Sequence, residues 1–189
     1  MALIDRVKNI LLTPKAEWPV IAGEAATTQS IFVGYVMILA VIGPIALALR
    51  TGALGLAFAI VNYVVALGIT FLLALIVDAL APSFGGEKNF VQSLKLVAYS
   101  YTAAWIAGIF SILPFVGGII GLLAAIYAFY TFYLGAPVLK KSTPEKAIIL
   151  TIVIVVCGLL LGVVVGGFLV TAMLGSGAAA LSTGFGSLR

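Results

Sequence analysis

Five long apolar stretches, separated by short clusters of charge, proline and glycine, set the pattern of this chain. They run over about residues 31–49, 54–77, 90–113, 115–139 and 147–174. Each is near or above the roughly 20 apolar residues a helix needs to cross a bilayer core. The pattern therefore predicts an all-α protein, an integral membrane bundle of five transmembrane helices. Gly43-Pro44 should kink or shorten the first, because proline removes a backbone hydrogen bond from a helix. "DALAPSFGGEKN" separates the second and third, and "KKSTPEK" the fourth and fifth. The uncharged "ILPFVGG" joins the third and fourth as a hairpin.

Ahead of the spans, residues 1–30 follow a different rule. Leu3, Ile4, Val7, Ile10 and Leu11 share one helical face, while Asp5, Arg6, Lys8 and Asn9 cover the other. A short amphipathic helix of this kind is expected to lie in the membrane interface, as a lead-in or, alternatively, as a docking piece for a partner. Its charges are spread among apolar residues, unlike those of a signal peptide. Thr13-Pro14 ends it, and Trp18 between Glu17 and Pro19 suits an interfacial anchor. Residues 31–174 then form the membrane domain. Residues 175–189, "GSGAAALSTGFGSLR", read as a flexible tail.

Composition sharpens this picture. Hydrophobic residues are 63% of the 189 positions and charged residues 8%, against about 45–50% and 25% in soluble domains. Only lipid can cover so apolar a surface. With five spans, Arg6, Lys8, Lys15, Lys88, Lys95, Lys140, Lys141 and Lys146 fall on one side, and Arg50 and Arg189 on the other. Positive charge marks the cytoplasmic side, so the N-terminus is expected inside and the C-terminus outside. The net charge of +4 is too small and too dispersed for a nucleic-acid partner.

Candidate chemistry is sparse. The chain has no histidine, and its single cysteine, Cys157, sits in an apolar run and reads as a packing residue. No metal, cofactor or catalytic constellation is visible. Lipid offers helices no hydrophobic gain from pairing, so small residues mark where they pack closely. Gly158, Gly162 and Gly166 form a double GxxxG in the fifth span, and Gly117 and Gly121 open the fourth in the same way. Such faces serve packing within the bundle or a homo-oligomer.

The central polar stretch is the one candidate site. Asn89 is placed to cap the third helix with Gln92 three residues on, a capping-box variant, and Gly85-Gly86 supplies the turn before it. Gln92, Lys95, Tyr99 and Thr102 then follow at spacings of 3, 4 and 3, which puts them on one face. Lys95 has three alternatives: to snorkel to headgroups, to pair with Asp78 at the same membrane level, or to line a cavity. Asn62, inside the second span, needs a partner on a neighbouring helix.

"LIDRVKNILLTPKAEWPVI", "GGEKNFVQSLKLVAYSYTAAWIAGI" and "ILPFVGGIIGLLAAIYAFYTFYLGAPVLKKSTPEKA", followed by a Val/Ile-rich span, resemble the bacterial branch of the Yip family. Those are five-span membrane proteins named for interaction with Ypt/Rab GTPases, and the resemblance covers essentially the whole chain. It implies a five-helix bundle with a cytoplasmic N-terminus in a bacterial inner membrane. The eukaryotic members are linked to vesicle trafficking, membrane shaping and GTPase binding. Where the family often has proline after the "Y-S" element, this chain has Ala103-Ala104. The expected role is that of a non-enzymatic scaffold, partner-binding or membrane-organising module. The alternative is a small transporter or channel with a polar cavity near the cytoplasmic side.

Overall fold

A computed structural model describes residues 2–186, the side chains at 53, 54, 170 and 172–186 excepted. Every regular element among the described residues is helical. Two short helices come first, α1 (Leu3–Leu12) and α2 (Pro14–Gly23). Next come α3 (Thr28–Ile31), a π-helical turn over Phe32–Val36, α4 (Met37–Ala40) and α5 (Ile42–Thr51). The long α6 (Ala53–Leu80) runs into a 3₁₀ turn at Ala81–Phe84. After it stand α7 (Phe90–Ser100), α8 (Thr102–Ala107) and a 3₁₀ turn at Gly108–Ile112. The last two helices are α9 (Pro114–Lys140) and α10 (Pro144–Gly186).

Four helical stretches are long and apolar enough to cross a membrane: Thr28–Thr51, Gly55–Phe84, Pro114–Lys140 and Pro144–Leu169. The first is interrupted at Val41, three residues before Pro44. That position follows from proline, whose missing N–H leaves the carbonyl of Ala40 without its usual donor.

The expected third span is in two pieces, and neither is long enough to cross on its own. The break falls at Tyr101, whose backbone sits at φ −77° and ψ −1°. There the Thr102 hydroxyl donates to the Tyr99 carbonyl at 2.6 Å, a local bond that competes with the helix ladder. This segment is also the most enclosed in the chain, since every residue of Ser93–Ser100 is buried. Its polar residues are therefore shielded from lipid by other helices.

The chain divides into two compact units, Met1–Val155 and Val156–Arg189, with the boundary inside α10. In the first, the core is built from Leu73, Ala74 and Val77 of α6, Leu94 and Val97 of α7, and Phe132 and Ala136 of α9. The second is described by itself: it carries Gly158, Gly162 and Gly166, one turn apart along α10. The stretch expected as a tail begins at residue 175. α10 continues to Gly186, while the side chains of 172–186 and all of 187–189 lie outside the described residues.

Trp18 corrects an expectation. It is not an interfacial anchor but fully buried, at 0% exposure, with its indole N–H donating to the Thr131 carbonyl of α9 at 3.0 Å. Thr131 has that carbonyl at hand in mid-helix, and a gap beside it receives the ring. The gap is Gly135: a Cβ there would lie 2.6 Å from Trp18 Cε2 and 2.7 Å from Leu96 Cδ1. Gly135→Ala should therefore destabilise the protein by about 1–3 kcal/mol through overpacking. Thermal unfolding in detergent would register this as a lowered midpoint, whereas Gly118→Ala, where nothing stands within 4 Å, should barely move it.

Candidate functional site

Four polar groupings are buried in the first unit, and the first two begin with a helix end that needs partners. The first closes the turn between α6 and α7. Gly85 takes φ +69°, and the chain doubles back so that the Glu87 N–H reaches the Lys140 carbonyl at 2.8 Å. Asn89 caps α7 as expected, its side chain accepting from the Gln92 N–H at 3.1 Å. The reciprocal half of a capping box is not formed. The Asn89 N–H goes instead to Asp78 Oδ1 at 2.7 Å, and the Gln92 side chain goes elsewhere. Into this corner comes Lys140, fully buried at the end of α9. Its Nζ donates to Asp78 Oδ1 at 3.2 Å, the Asn89 carbonyl at 3.1 Å and Ser93 Oγ at 2.7 Å. Asp78 therefore pairs with Lys140, not with Lys95.

Lys95 has a different role. Its Nζ donates to the carbonyls of Ile21 at 2.8 Å and Glu24 at 2.6 Å. These lie at the C-terminal end of α2, where carbonyls lack intrahelical donors and the helix dipole is negative. Gln92 Nε2 adds a bond to the Ala22 carbonyl at 3.2 Å. Two residues of the α7 stripe thus cap a helix that sequence spacing did not place beside them.

The same hairpin of α1 and α2 is tied down by charge. Arg6, 4% exposed, forms ion pairs with Glu17 and Glu24, and Asn9 Nδ2 bonds the second oxygen of Glu17 at 3.1 Å. The Arg6 guanidinium also stands 5.5 Å from the centre of the Tyr99 ring, a cation–π contact in a desolvated place. Tyr127 of α9 reaches the Leu11 carbonyl at 2.8 Å. The amphipathic reading put Arg6 on the outer face, yet it lies between Leu3 and Ile10 at spacings of 3 and 4. Those spacings put it on the inward stripe.

Deeper in the bundle the polar line ends in hydroxyls. Tyr35 packs edge-on against Tyr99 with ring centres 4.6 Å apart, and its hydroxyl lies 2.7 Å from Thr102 Oγ1. Tyr35 belongs to the π-helical turn, an irregularity often found where a helix carries function. Arg6, Glu24, Ser30, Tyr35 and Tyr99 line a small polar cavity of about 160 Å³.

The six residues singled out in sequence are therefore scattered in role. Lys95 and Gln92 cap α2, Asp78 belongs to the Lys140 cluster, and Tyr99 and Thr102 form the aromatic step. Asn62 stands apart from all of these. Its Nδ2 bonds the Phe58 carbonyl of its own helix at 2.9 Å, and the residue faces a second, mostly apolar cavity. Gly117 meets the backbone of Phe110, so it admits the turn between the two helices, while Gly121 has nothing within 4 Å. Among the described residues no group of His, Cys, Asp or Glu side chains converges as a metal site would need.

Compared with known protein families, residues 8–166 match one model, the Yip1 domain. The chain belongs to the Yip1 domain family. The match takes in α2 and the end of α1, the Lys140 and Lys95 groupings and the first part of α10, while Arg6 lies just ahead of it. No curated protein and no solved structure matches the chain. As a Yip1-family chain with several membrane-crossing helices, it is a helical membrane protein.

Proposed function

We propose that this chain is a non-enzymatic bacterial inner-membrane protein that crosses five times and presents its N-terminal hairpin, rigidly held, as a membrane-organising surface at the cytoplasmic face. The observation that carries this reading is the contrast between the two sides of the hairpin. Inward, Arg6, Glu17, Trp18 and Ile21 are buried and bonded. Outward, Ile4 is 75% exposed and Leu12 68%, beside exposed Lys8 and Lys15. Apolar tips among lysines suit the boundary between headgroups and acyl chains of an anionic leaflet.

Support for the fifth crossing comes from the two ends of residues 90–112. Asn89 meets Asp78 and Lys140 at one end, and the Ser111 carbonyl meets Arg50 at the other, 3.0 Å away. Some 23 helical residues span roughly 34 Å, enough for a hydrocarbon core. That crossing keeps all eight described cytoplasmic-type cations on one side, as the positive-inside rule asks. The glycine row of α10 offers a close-packing face for a second copy.

The test uses the full chain reconstituted into anionic vesicles. Wild type should shift the vesicle size distribution, and Ile4→Asp with Leu12→Asp should lose the effect with an unchanged melting midpoint, since both side chains are outside the fold. Vesicles identical to protein-free ones would overturn the reading.

A further inference from the structure

The cavity beside Asn62 lies in the opposite half of the bundle from the charge clusters. It measures about 290 Å³, near the lower end of ligand-sized sites, roughly 300–1,000 Å³. Its walls are Ala40, Pro44 and Leu47 on one side, with Ala66 and Ala104 on the others. Its floor is the approach of Gly43 to Gly108, where a Cβ on Gly108 would lie 2.9 Å from Gly43 Cα. Two of these walls belong to membrane-crossing stretches, so the medium beside the groove is lipid and not water.

Three polar groups line this otherwise apolar groove. Asn62 sits on the α6 wall and Trp105 beside Ala104 on the α8 wall. Ser111, six residues beyond Trp105, lies at the end where Arg50 is found, and its hydroxyl is buried with no partner. A buried hydroxyl without a partner is costly. Arg50 Nη1 donates to the Ser111 carbonyl at 3.0 Å, which sets an exposed guanidinium at the mouth of the groove. Ten residues separate Ala40 from Arg50, all but Val41 helical, a distance of roughly 15 Å at the helical rise.

We infer that this groove binds one acyl chain of an anionic phospholipid, with Arg50 holding the phosphate and Ser111 donating to the ester region. Charge complementarity chooses the occupant. A cation at headgroup level, an orphan hydroxyl just below it and an apolar slot beneath match the order of groups along a phospholipid. A detergent-like neutral amphiphile would leave Arg50 without its counter-charge.

Trp105 lines the groove and supplies the probe. The full chain would be placed in phosphatidylcholine vesicles doped with phospholipid brominated on its acyl chain, which quenches tryptophan on contact. Trp18 is sealed inside the protein and contributes a constant background. Brominated phosphatidylglycerol should reach half-quenching at a several-fold lower mole fraction than brominated phosphatidylcholine. Arg50→Gln should remove that difference and Arg50→Lys keep most of it, while Ala66→Phe should weaken quenching by both lipids. Equal quenching by the two lipids in wild type overturns the proposal, as does a preference that survives Arg50→Gln. The wild-type comparison decides even if the groove-filling variant fails to fold.

Discussion

Arg6→Met is expected to release the N-terminal hairpin, at a cost of roughly 3–5 kcal/mol, the range for removing one partner of a buried ion pair. The effect is large because Arg6 serves two carboxylates at once. Glu17 is left almost fully buried, its side chain 6% exposed, while Glu24 at 39% can turn to water. Loss of the stacking on Tyr99 adds to it. Trypsin should then cut at Lys8 and Lys15 at rates far above wild type, and amides of α1 and α2 should exchange faster while those of α6 keep their protection. Adding Glu17→Gln to the same chain should recover part of the loss, because it removes the stranded charge. Unchanged cleavage in Arg6→Met would mean that Trp18, Lys95 and Tyr127 hold the hairpin without it.

Lys140→Met should be nearly as damaging, also about 3–5 kcal/mol. Three acceptors depend on this one ammonium group: Asp78, the Asn89 carbonyl and Ser93. The adjacent residue is the control. Lys141 pairs with Glu87 at 2.8 Å, but both side chains are more than 60% exposed, and such pairs contribute roughly 0–1 kcal/mol. Thermal unfolding of the two methionine variants in the same detergent should therefore separate them by a wide margin. Asp78→Asn added to Lys140→Met keeps an acceptor for the Asn89 N–H and removes the charge, so it should restore part of the midpoint. Similar midpoints for Lys140→Met and Lys141→Met would sink this account of the corner.

Apolar runs made the membrane helices legible in the sequence, because run length and hydropathy act locally. The Asn89 cap was legible for the same reason, as its donor lies three residues away. What could not be read was which long-range acceptor each buried cation would choose. Sequence position put Lys95 and Asp78 at one level, yet the carbonyls at the end of α2 receive Lys95, and Lys140 arrives at Asp78 from 62 residues away. Trp18 misled because an indole between Glu17 and Pro19 suits an interface as well as a slot. Only Gly135, 117 positions on, distinguishes the two. Arg6 was legible, since its spacing of 3 from Leu3 and 4 to Ile10 places it on the inward stripe.

The attachment of the hairpin to α9 also orders events during synthesis. Trp18 leaves the ribosome 113 residues before Thr131, and Leu11 116 residues before Tyr127. At about 5–20 residues per second the first-made part of the chain waits on the order of ten seconds for its receptor. Its charged groups keep it wettable through that interval. Docking of the N-terminus can be completed only after the penultimate long helix has been made, so it reports that the helices before it are present.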